Sequence, residues 1–356
     1  MNFKLKGTTL QKLCFSAGIA LLLFMLAGCG ETSDPTSTKE PDSNKIDKVK
    51  VGHVGSVSDA GIYIGIEKGY FKEEGLDIET VQFDSGSKMI APLSSGDLDV
   101  GGGAISAGLF NAINSGINVR IVADKGSTFK DFGYQAIVVD SKQIDQLKRP
   151  KDFKNKKIGI LGNGTAPEAA LNKWLQQDGI SIDDVQVETI PLSNMGVALS
   201  TGAIDAAQMV EPALTSAVEE GFGKVLVRDD EFWPDHMIGA LMYAETFAKK
   251  TDIAERFMVA YLKGIRDYDE AFVDKNEEKR KEVIDILMKH GKIEDPSIYD
   301  KMVMAGLSPN GELNLDTMEE DQEYFLSTGT QDKPLDLDKV VDTSFVEKAV
   351  EKLGRK

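Results

Sequence analysis

Short polar loops follow the predicted strands of this chain, and their side chains are suited to holding a small molecule by hydrogen bonds. Ser56, Ser58 and Asp59 come directly after a buried apolar run, and Ser85 and Ser87 follow the next run. In open α/β sheets, ligands bind in the loops between the end of a strand and the start of a helix. Each serine can instead cap the helix that it precedes, so no single one identifies a site. Together they predict non-covalent binding of a solute.

Two glycine-containing turns extend this pattern. Residues 101–106 carry three successive glycines and end at Ser106, and glycines let a backbone approach a bound molecule closely. Residues 162–167 open a second helix, with Thr165 as its predicted cap, and N–H groups at such a start favour an anionic or carbonyl-bearing ligand. A dinucleotide fingerprint is not supported, because Pro167 stands where the last glycine of Gly-x-Gly-x-x-Gly belongs.

Three further residues have two interpretations each. Glu211 precedes Pro212 at a predicted helix start and either faces a ligand or caps that helix. Trp233 and His236 belong to the most aromatic local cluster, which either borders the ligand or packs as a plug on its own lobe. No nucleophile–base pair can be proposed from the spacing, and no cysteine follows Cys29. We therefore predict no catalytic residue, no cofactor and no metal site.

The strands and helices that position these loops belong to an internal repeat, which occurs twice in the sequence. The stretch at residues 93–99, Leu-Ser-Ser-Gly-Asp-Leu-Asp, returns at 199–205 as Leu-Ser-Thr-Gly-Ala-Ile-Asp, so that Gly96 corresponds to Gly202. The order of strands and helices around the two copies also agrees. A repeat with two copies and a long period predicts two similar α/β lobes and not a solenoid. The alternative is a chance match, since such turns are common.

The N-terminus has the pattern of a lipoprotein targeting segment. Three lysines and an uncharged apolar core, too short to span a bilayer, precede Leu-Ala-Gly-Cys at residues 26–29. This resembles the bacterial lipobox, in which the thiol of Cys29 takes a diacylglycerol thioether and residues 1–28 are removed. An ordinary secretory signal with an incidental cysteine is the alternative. Residues 29–47 are polar and predict a disordered tether.

Net charge and length limit the possible partners and the number of domains of the rest of the chain. The formal net charge of −17 argues against nucleic acid as a partner, since that needs a basic surface. The length after the tether is enough for two domains. We predict lobe 1 over residues 48–139 and 238–356, lobe 2 over 140–237, hinge strands near Val138 and Ile238, and C-terminal helices on lobe 1.

A family resemblance is carried by three stretches of the sequence. Residues 61–77, Gly-Ile-Tyr-Ile-Gly-Ile-Glu-Lys-Gly-Tyr-Phe-Lys-Glu-Glu-Gly-Leu-Asp, resemble a signature of ABC-transporter solute-binding proteins. Residues 94–101 and 205–212 resemble the same subgroup, which includes nitrate, sulfonate and taurine binders (SsuA-like) and thiamine-precursor binders (NMT1/THI5-like). The resemblance covers about residues 48–275. It implies an α/β type II periplasmic-binding fold, with two lobes joined by two hinge strands.

The resemblance also implies a function. It implies an extracytoplasmic lipoprotein of an ABC importer, lipid-anchored to the cell membrane, which captures a small organic or anionic solute between its lobes. The partners implied are the permease and ATPase subunits, and the protein itself is expected to be a monomer and not an enzyme. The alternatives are an enzyme of the THI5-like pyrimidine-synthase type and a ligand-sensing surface protein on the same fold.

The predicted ligand contacts lie in five loops and at three aromatic positions. Carboxylates at Asp59 and Glu211 on the same rim favour a small organic molecule with donors as well as acceptors over a bare inorganic anion. The residues predicted to contact the ligand are Ser56, Ser58, Asp59, Tyr63, Ser85, Gly86, Ser87, Ala104, Ile105, Ser106, Asn163, Gly164, Thr165, Glu211, Trp233 and His236.

Overall fold

A computed structural model describes residues 46–291, 293 and 295–356. The predicted signal segment, Cys29 and most of the predicted tether lie outside these residues. The tether prediction extends one residue too far in any case, because Asp47 already begins a strand and its N–H donates to the carbonyl of Gly75 at 3.0 Å.

Ten strands are named in the described part of the chain. Their bounds are β1 Asp47–His53, β2 Leu76–Gln82, β3 Val100–Ala104, β4 Val119–Ser127, β5 Gln135–Asp140, β6 Lys157–Ile160, β7 Gln186–Thr189, β8 Ala206–Val210, β9 Gly223–Arg228 and β10 Met237–Ala244. They form two sheets of five strands, with the orders β2-β1-β3-β10-β4 and β7-β6-β8-β5-β9.

The two sheets repeat one arrangement, as the duplicated sequence predicts. In the first sheet β1 pairs in parallel with β2 and β3, and β10 is antiparallel to β3 and β4. In the second sheet β6 pairs in parallel with β7 and β8, and β5 is antiparallel to β8 and β9. Gly96 and Gly202 follow equivalent helices with φ of 79° and 72°, a backbone region that glycine adopts without steric cost.

One predicted lobe boundary is wrong. The strand predicted at residues 134–139 for lobe 1 is β5, and it pairs with β8 and β9 of the second sheet. Val138 therefore lies inside lobe 2. The chain crosses between the lobes at residues 128–134 and returns at 229–236, which we call the hinge segments. The error arises because β5 is buried along its length, and a buried strand carries no pattern that assigns it to one sheet.

Fourteen α-helices are named among the described residues. Their bounds are α1 Ala60–Glu67, α2 Tyr70–Glu73, α3 Ile90–Ser95, α4 Ala107–Asn114, α5 Ala166–Gln176, α6 Leu192–Ser200, α7 Ala213–Glu219, α8 Asp229–Phe232, α9 Glu245–Ala248, α10 Thr251–Phe272, α11 Glu277–Gly291, α12 Pro296–Lys301, α13 Leu315–Ser327 and α14 Ser344–Leu353. Over the described ranges, none of them is long and apolar enough to cross a membrane.

The long helix α10 covers the first sheet because its glycine allows close packing on α1. A Cβ atom at Gly264 would lie 2.3 Å from the carbonyl oxygen of Gly61, so the two backbones touch there. Tyr261 and Ile265 fill the space beside Gly61, and both side chains are fully buried. The glycine that begins the family-like stretch at 61–77 thus has a packing role in the core of lobe 1.

The C-terminal part of the chain contacts both lobes, which extends the prediction that its helices pack on lobe 1. Helices α10, α11 and α14 belong to the core of lobe 1. Beyond them, Lys301 pairs with Glu219 of α7, and Lys173 of α5 pairs with Glu320 of α13. Residues 296–327 therefore also contact lobe 2.

Candidate functional site

A cavity of about 410 Å³ lies between the two lobes, and we call it the interlobe cavity. Lobe 1 contributes the residues at the ends of β1 and β2, and lobe 2 contributes the starts of α6 and α7. The described lining residues are Val54, Gly55, Gln82, Phe83, Asp84, Pro191, Leu192, Ser193, Gly196, Val197, Met209, Pro212, Ala213, Ser216, Ala217, Glu220, Phe222, Gly291 and Ile293. Loops at strand ends from both lobes therefore enclose one space, as the fold predicts.

The two lobes also touch each other directly. The N–H of Ala107 donates to the carbonyl of Gly164 at 2.8 Å, and the N–H of Ala166 donates to the carbonyl of Ile105 at 3.0 Å. These two bonds pair Ser106 with Thr165 as an antiparallel bridge between lobe 1 and lobe 2. The two lobes are thus in direct backbone contact in this structure. The loops at Ser106 and Thr165, which are predicted to contact a ligand from the two lobes, instead bind each other through backbone hydrogen bonds.

The hydroxyls in this bridge have local partners. Ser106 Oγ accepts from the N–H of Leu109 at 3.3 Å and so caps α4. Thr165 precedes α5 but does not cap it through its side chain, because Thr165 Oγ1 donates to the carbonyl of Gly162 at 2.9 Å. The prediction of a side-chain cap at Thr165 is therefore wrong, because a carbonyl three residues back competes for its hydroxyl.

The loop after β1 faces into lobe 1. Asp59 Oδ2 accepts from the N–H groups of Gly55 and Ser56 at 2.8 and 2.9 Å, and Lys125 Nζ lies 2.7 Å from Asp59 Oδ1. Lys125 also donates to Ser58 Oγ at 2.9 Å, and its side chain is only 2% exposed. Ser58 and Asp59 therefore form a buried ion-pair network under the cleft and do not line the cavity.

Glu211 is held by protein donors, so of its two interpretations the structure favours the cap. Its carboxylate accepts from the N–H of Thr215 at 3.0 Å and from the hydroxyl of Thr215 at 2.9 Å, in the first turn of α7. Arg228 and the N–H of Val303 reach it at 3.4 Å. Burial raises the pKa of Glu211, and the Thr215 and Arg228 contacts act against that rise. The carbonyl of Glu211 accepts from the N–H of Val57 at 3.3 Å, a second interlobe contact.

Trp233 and His236 form a plug that joins lobe 2 to the C-terminal segment. Their rings stack with centroids 3.6 Å apart, and Lys173 Nζ of α5 lies 3.8 Å from the centre of the Trp233 ring. His236 Nε2 is 2.9 Å from Asp321 Oδ1 of α13, and both side chains are fully buried. The plug interpretation therefore fits better than ligand contact, although the partner of His236, Asp321, lies beyond its own lobe.

Tyr63 stands beside a small recess that adjoins the interlobe cavity. The recess has a volume of about 10 Å³. Its described lining residues are Gly55, Ser56, Val57, Tyr63, Pro212, Leu287, Gly291 and Tyr299. Tyr63 Oη is 2.9 Å from His53 Nδ1, and its ring stacks on that of His290 at 4.6 Å. Burial is the main cause that raises the pKa of Tyr63, with Asp59 adding to it. The hydroxyl is thus a neutral hydrogen-bonding group at neutral pH.

The remaining predicted residues lie at the rim or in the packing between strands. Ser87 and Asn163 are exposed, and Ser85 is half-buried. Gly86 packs on the first sheet, because a Cβ there would lie 3.0 Å from the backbone nitrogen of Ala104. None of the sixteen predicted residues is among the described lining of the interlobe cavity, although several are adjacent to lining residues in the chain. Their contact with a ligand stays a prediction.

Sequence reasoning missed the lining residues for a definite reason. The prediction selects the polar residues of each loop, whereas apolar neighbours of those residues line the cavity. Gly55 lines it and Ser56, the next residue, does not; Pro212 lines it and Glu211, the residue before, does not. Pro191 and Leu192, at the start of α6, were not considered. The available signal was the equivalence of β2 and β7 in the repeat, since both strands end at the cavity.

The chemistry of the cavity is that of a binding site. Most of its described lining is apolar, with hydroxyls at Ser193 and Ser216 and carboxylates at Asp84 and Glu220. Within the described ranges, no three His, Cys, Asp or Glu side chains come together in a way that could hold a metal ion. An apolar cleft with a few polar groups is typical of a small-molecule site.

Comparison with protein families gives a match over most of the chain. The model of the NMT1-like family matches residues 42–288. A Brucella abortus (strain 2308) protein named "Putative binding protein" is 29% identical over 233 residues, which is 62% of this chain and 66% of that protein, just under two thirds of its length. A Bacillus subtilis (strain 168) protein named "Putative aliphatic sulfonates-binding protein" is 25% identical over 349 residues, 94% and 96% of the two chains.

Solved structures share the fold at low sequence identity. The periplasmic nitrate-binding protein NrtA of Synechocystis PCC 6803 superposes with a TM-score of 0.72 at 17% identity, over 87% of this chain and 89% of its own. The desulfurization enzyme DSZB superposes with a TM-score of 0.62 at 12% identity, over 86% and 99%. At these identities the likeness is one of fold, and the fold serves both binding proteins and an enzyme.

Proposed function

Because the chain belongs to the NMT1-like family, we propose that it is the solute-binding component of an ABC importer. In this proposal a small organic or anionic solute enters between the lobes, the lobes close on it, and the closed form delivers it to a membrane permease. The proposal rests on one observation above all. The interlobe cavity is lined by both lobes, so a molecule held there contacts both at once only when they are closed.

The direct contacts between the lobes support a hinged receptor. Among the described residues they include the two backbone bonds of the Ser106–Thr165 bridge and the bond from Val57 to Glu211. Backbone hydrogen bonds of this kind are modest in net stability, about 0.5–1.5 kcal/mol each. A bound solute that adds contacts to both lobes therefore tips the equilibrium towards closure.

An enzyme on the same fold is the second candidate, since the superposition with DSZB shows that such a fold can carry catalysis. The polar residues of the cleft favour binding. Glu211 and Asp59 are held by protein partners, and Tyr63 Oη is paired with His53. Turnover assays on solutes that bind separate the two candidates: a binding protein returns the solute unchanged.

We also propose that the protein is held on the outer face of the cell membrane by a lipid on Cys29. The lipobox-like stretch at residues 26–29 supports this, and a tether from there to Asp47 gives the lobes reach to a permease. Stable anchoring needs more than one acyl chain, which a lipoprotein cysteine supplies.

A thermal-shift screen of the purified protein tests the function. Alkanesulfonates, taurine, nitrate, bicarbonate, thiamine precursors and flavins are added in turn, and a solute at 100 times its Kd stabilises the fold by about 2.7 kcal/mol. Ala213→Phe fills the interlobe cavity, and Ala203→Phe is the matched change on an exposed loop. We expect one solute to raise Tm in the wild type and in Ala203→Phe but not in Ala213→Phe. Equal shifts in all three proteins would place binding elsewhere.

A further inference from the structure

We propose that the solute held in the interlobe cavity carries no net negative charge and presents an apolar face. The inference rests on the proposed receptor function and narrows the class of its ligand. It sets this chain apart from the similar proteins whose names specify nitrate or sulfonates, both of which are anions.

The charges of the cavity are the first observation. Of the described residues that line it, none is Lys, Arg or His, whereas Asp84 and Glu220 are carboxylates. Asp84 is paired with Lys88, whose Nζ lies 2.5 Å from Asp84 Oδ2, so this lysine of lobe 1 already has a carboxylate partner. An anion enclosed here would lose its hydration and meet carboxylates, which is costly without a paired cation.

The cations in the layer beneath the cavity are also occupied. Lys125 lies 2.7 Å from Asp59 Oδ1 and is 2% exposed, so it cannot turn towards a ligand without leaving its partner. Arg228 Nη2 lies 3.4 Å from Glu211 Oε1, and its Nη1 donates to the carbonyl of Gly133 at 2.9 Å. These two groups hold the protein together and give no free positive charge to the cleft.

The apolar walls are the second observation. Phe83 comes from lobe 1, and Met209, Phe222 and Val197 come from lobe 2. Val197 is 56% exposed, one of three large apolar side chains that stand out on the described surface. An apolar face of a solute would cover it, and apolar burial is the main favourable term in such binding. The start of α6 at Leu192 adds N–H groups without intrahelical partners, which can donate to an acceptor oxygen of the solute whether or not that oxygen is charged.

A matched pair of probes tests the charge requirement. Benzenesulfonamide and benzenesulfonate have the same ring and nearly the same size, and at pH 7 only the second carries a charge. We expect benzenesulfonamide to bind wild-type protein at least ten times more tightly in calorimetry. Tighter or equal binding of benzenesulfonate overturns the inference.

A charge-placing variant covers the case in which neither probe binds the wild type measurably. Ser193→Lys puts a cation on the cavity wall and should improve benzenesulfonate binding at least tenfold, whereas Ser94→Lys, on the exposed face of α3, should not. If Ser193→Lys brings no improvement, the inference is overturned. Lys292, which lies outside the described residues, is changed to Ala in the wild type in parallel. If the wild type binds benzenesulfonate and Lys292→Ala does not, the inference is also overturned.

These outcomes are distinct from failure of the proposed function. A benzenesulfonate site in the wild type that Ala213→Phe abolishes would leave the receptor function in place and reverse only the charge class. The receptor function itself fails when no solute of the screen binds saturably.

Discussion

Ser106 of lobe 1 and Thr165 of lobe 2 pair as an isolated antiparallel bridge between the two halves of the molecule. Its two hydrogen bonds are made by backbone groups of the neighbouring residues Ala107 and Ile105, so they depend on the position of the lobes and not on side-chain chemistry. The bridge and the interlobe cavity are each formed by residues of both lobes, so closure and enclosure of a solute both depend on the position of the lobes.

Ala107→Pro is expected to weaken the closed form without disturbing the helix. Ala107 is the first residue of α4, where proline is well tolerated, and Ser106 before it has the extended backbone that a following proline requires. The change removes the N–H that donates to Gly164 at 2.8 Å. We expect a loss of about 0.5–1.5 kcal/mol in closure, seen as roughly 2- to 13-fold weaker solute binding in calorimetry. Ala107→Gly keeps the N–H and serves as the control; equal affinities in the two variants would contradict a role for the bridge.

The buried ion pair beneath the cleft should dominate local stability. Lys125→Met leaves Asp59 charged and without its cation, which costs about 3–5 kcal/mol in the free energy of unfolding. Lys88→Met removes an exposed partner of Asp84 and should cost no more than about 1 kcal/mol. Urea denaturation of both variants gives the two values. If Lys125→Met lowers the free energy of unfolding by no more than Lys88→Met does, the buried Lys125–Asp59 pair contributes no more to stability than the exposed Lys88–Asp84 pair.

The sequence predicted the fold well because its signals are local and repeated. The repeat predicts two similar α/β lobes, and the glycines at 96 and 202 that mark its two copies follow equivalent helices beside two equivalent sheets. Assignment of β5 failed because pairing across the hinge is non-local. Strands β5 and β10 each leave one half of the repeat to complete the sheet of the other, and nothing in their composition records the exchange.

The site was harder to predict than the fold for a related reason. The sequence predicts ligand contacts at polar residues of the loops. In the structure three of these residues bind protein partners instead: Asp59 pairs with Lys125, Glu211 with Thr215 and His236 with Asp321. Those partners are distant in sequence in two of the three cases. Only the three-dimensional structure shows that the buried polar groups satisfy one another and leave apolar neighbours to line the cavity.

Stability should fall as pH rises through the range in which Asp229 loses its proton. Burial raises the pKa of Asp229 to about 7, with Asp230 adding to the effect and Gln208 opposing it. A carboxyl whose pKa is higher in the folded than in the unfolded chain keeps its proton on folding, so the folded form is favoured less at pH 8 than at pH 4. The loss is of the order of a few kcal/mol, at 1.36 kcal/mol per pKa unit.

Asp229→Asn should remove the fall in stability that ionisation of Asp229 causes between pH 4 and pH 8. Its neutral side chain cannot ionise, so we expect the variant to be more stable than the wild type at pH 8 and similar to it at pH 4. Asp145→Asn, at a side chain 95% exposed, should leave the pH profile unchanged. Thermal unfolding from pH 4 to pH 8 measures all three proteins. A variant less stable than the wild type at pH 8 would mean that the charged carboxylate has a stabilising partner.

Cys29→Ser should release the protein from the membrane, because the acyl chains are attached through the thiol that it removes. Fractionation of cells followed by immunoblotting distinguishes bound from released protein. Ser33→Ala, four residues further on, should leave the protein bound. A Cys29→Ser protein that still sediments with membranes would refute the lipid anchor.

Small-angle scattering with and without a solute confirmed by calorimetry tests closure between the lobes most directly. The lobes should move as rigid bodies about the hinge segments at 128–134 and 229–236, so the solute should lower the radius of gyration while circular dichroism stays unchanged. Ala107→Pro should start from a larger radius and need more solute to reach the same closed value. Identical scattering curves in the presence and absence of a tightly bound solute would contradict capture by closure and leave a rigid receptor.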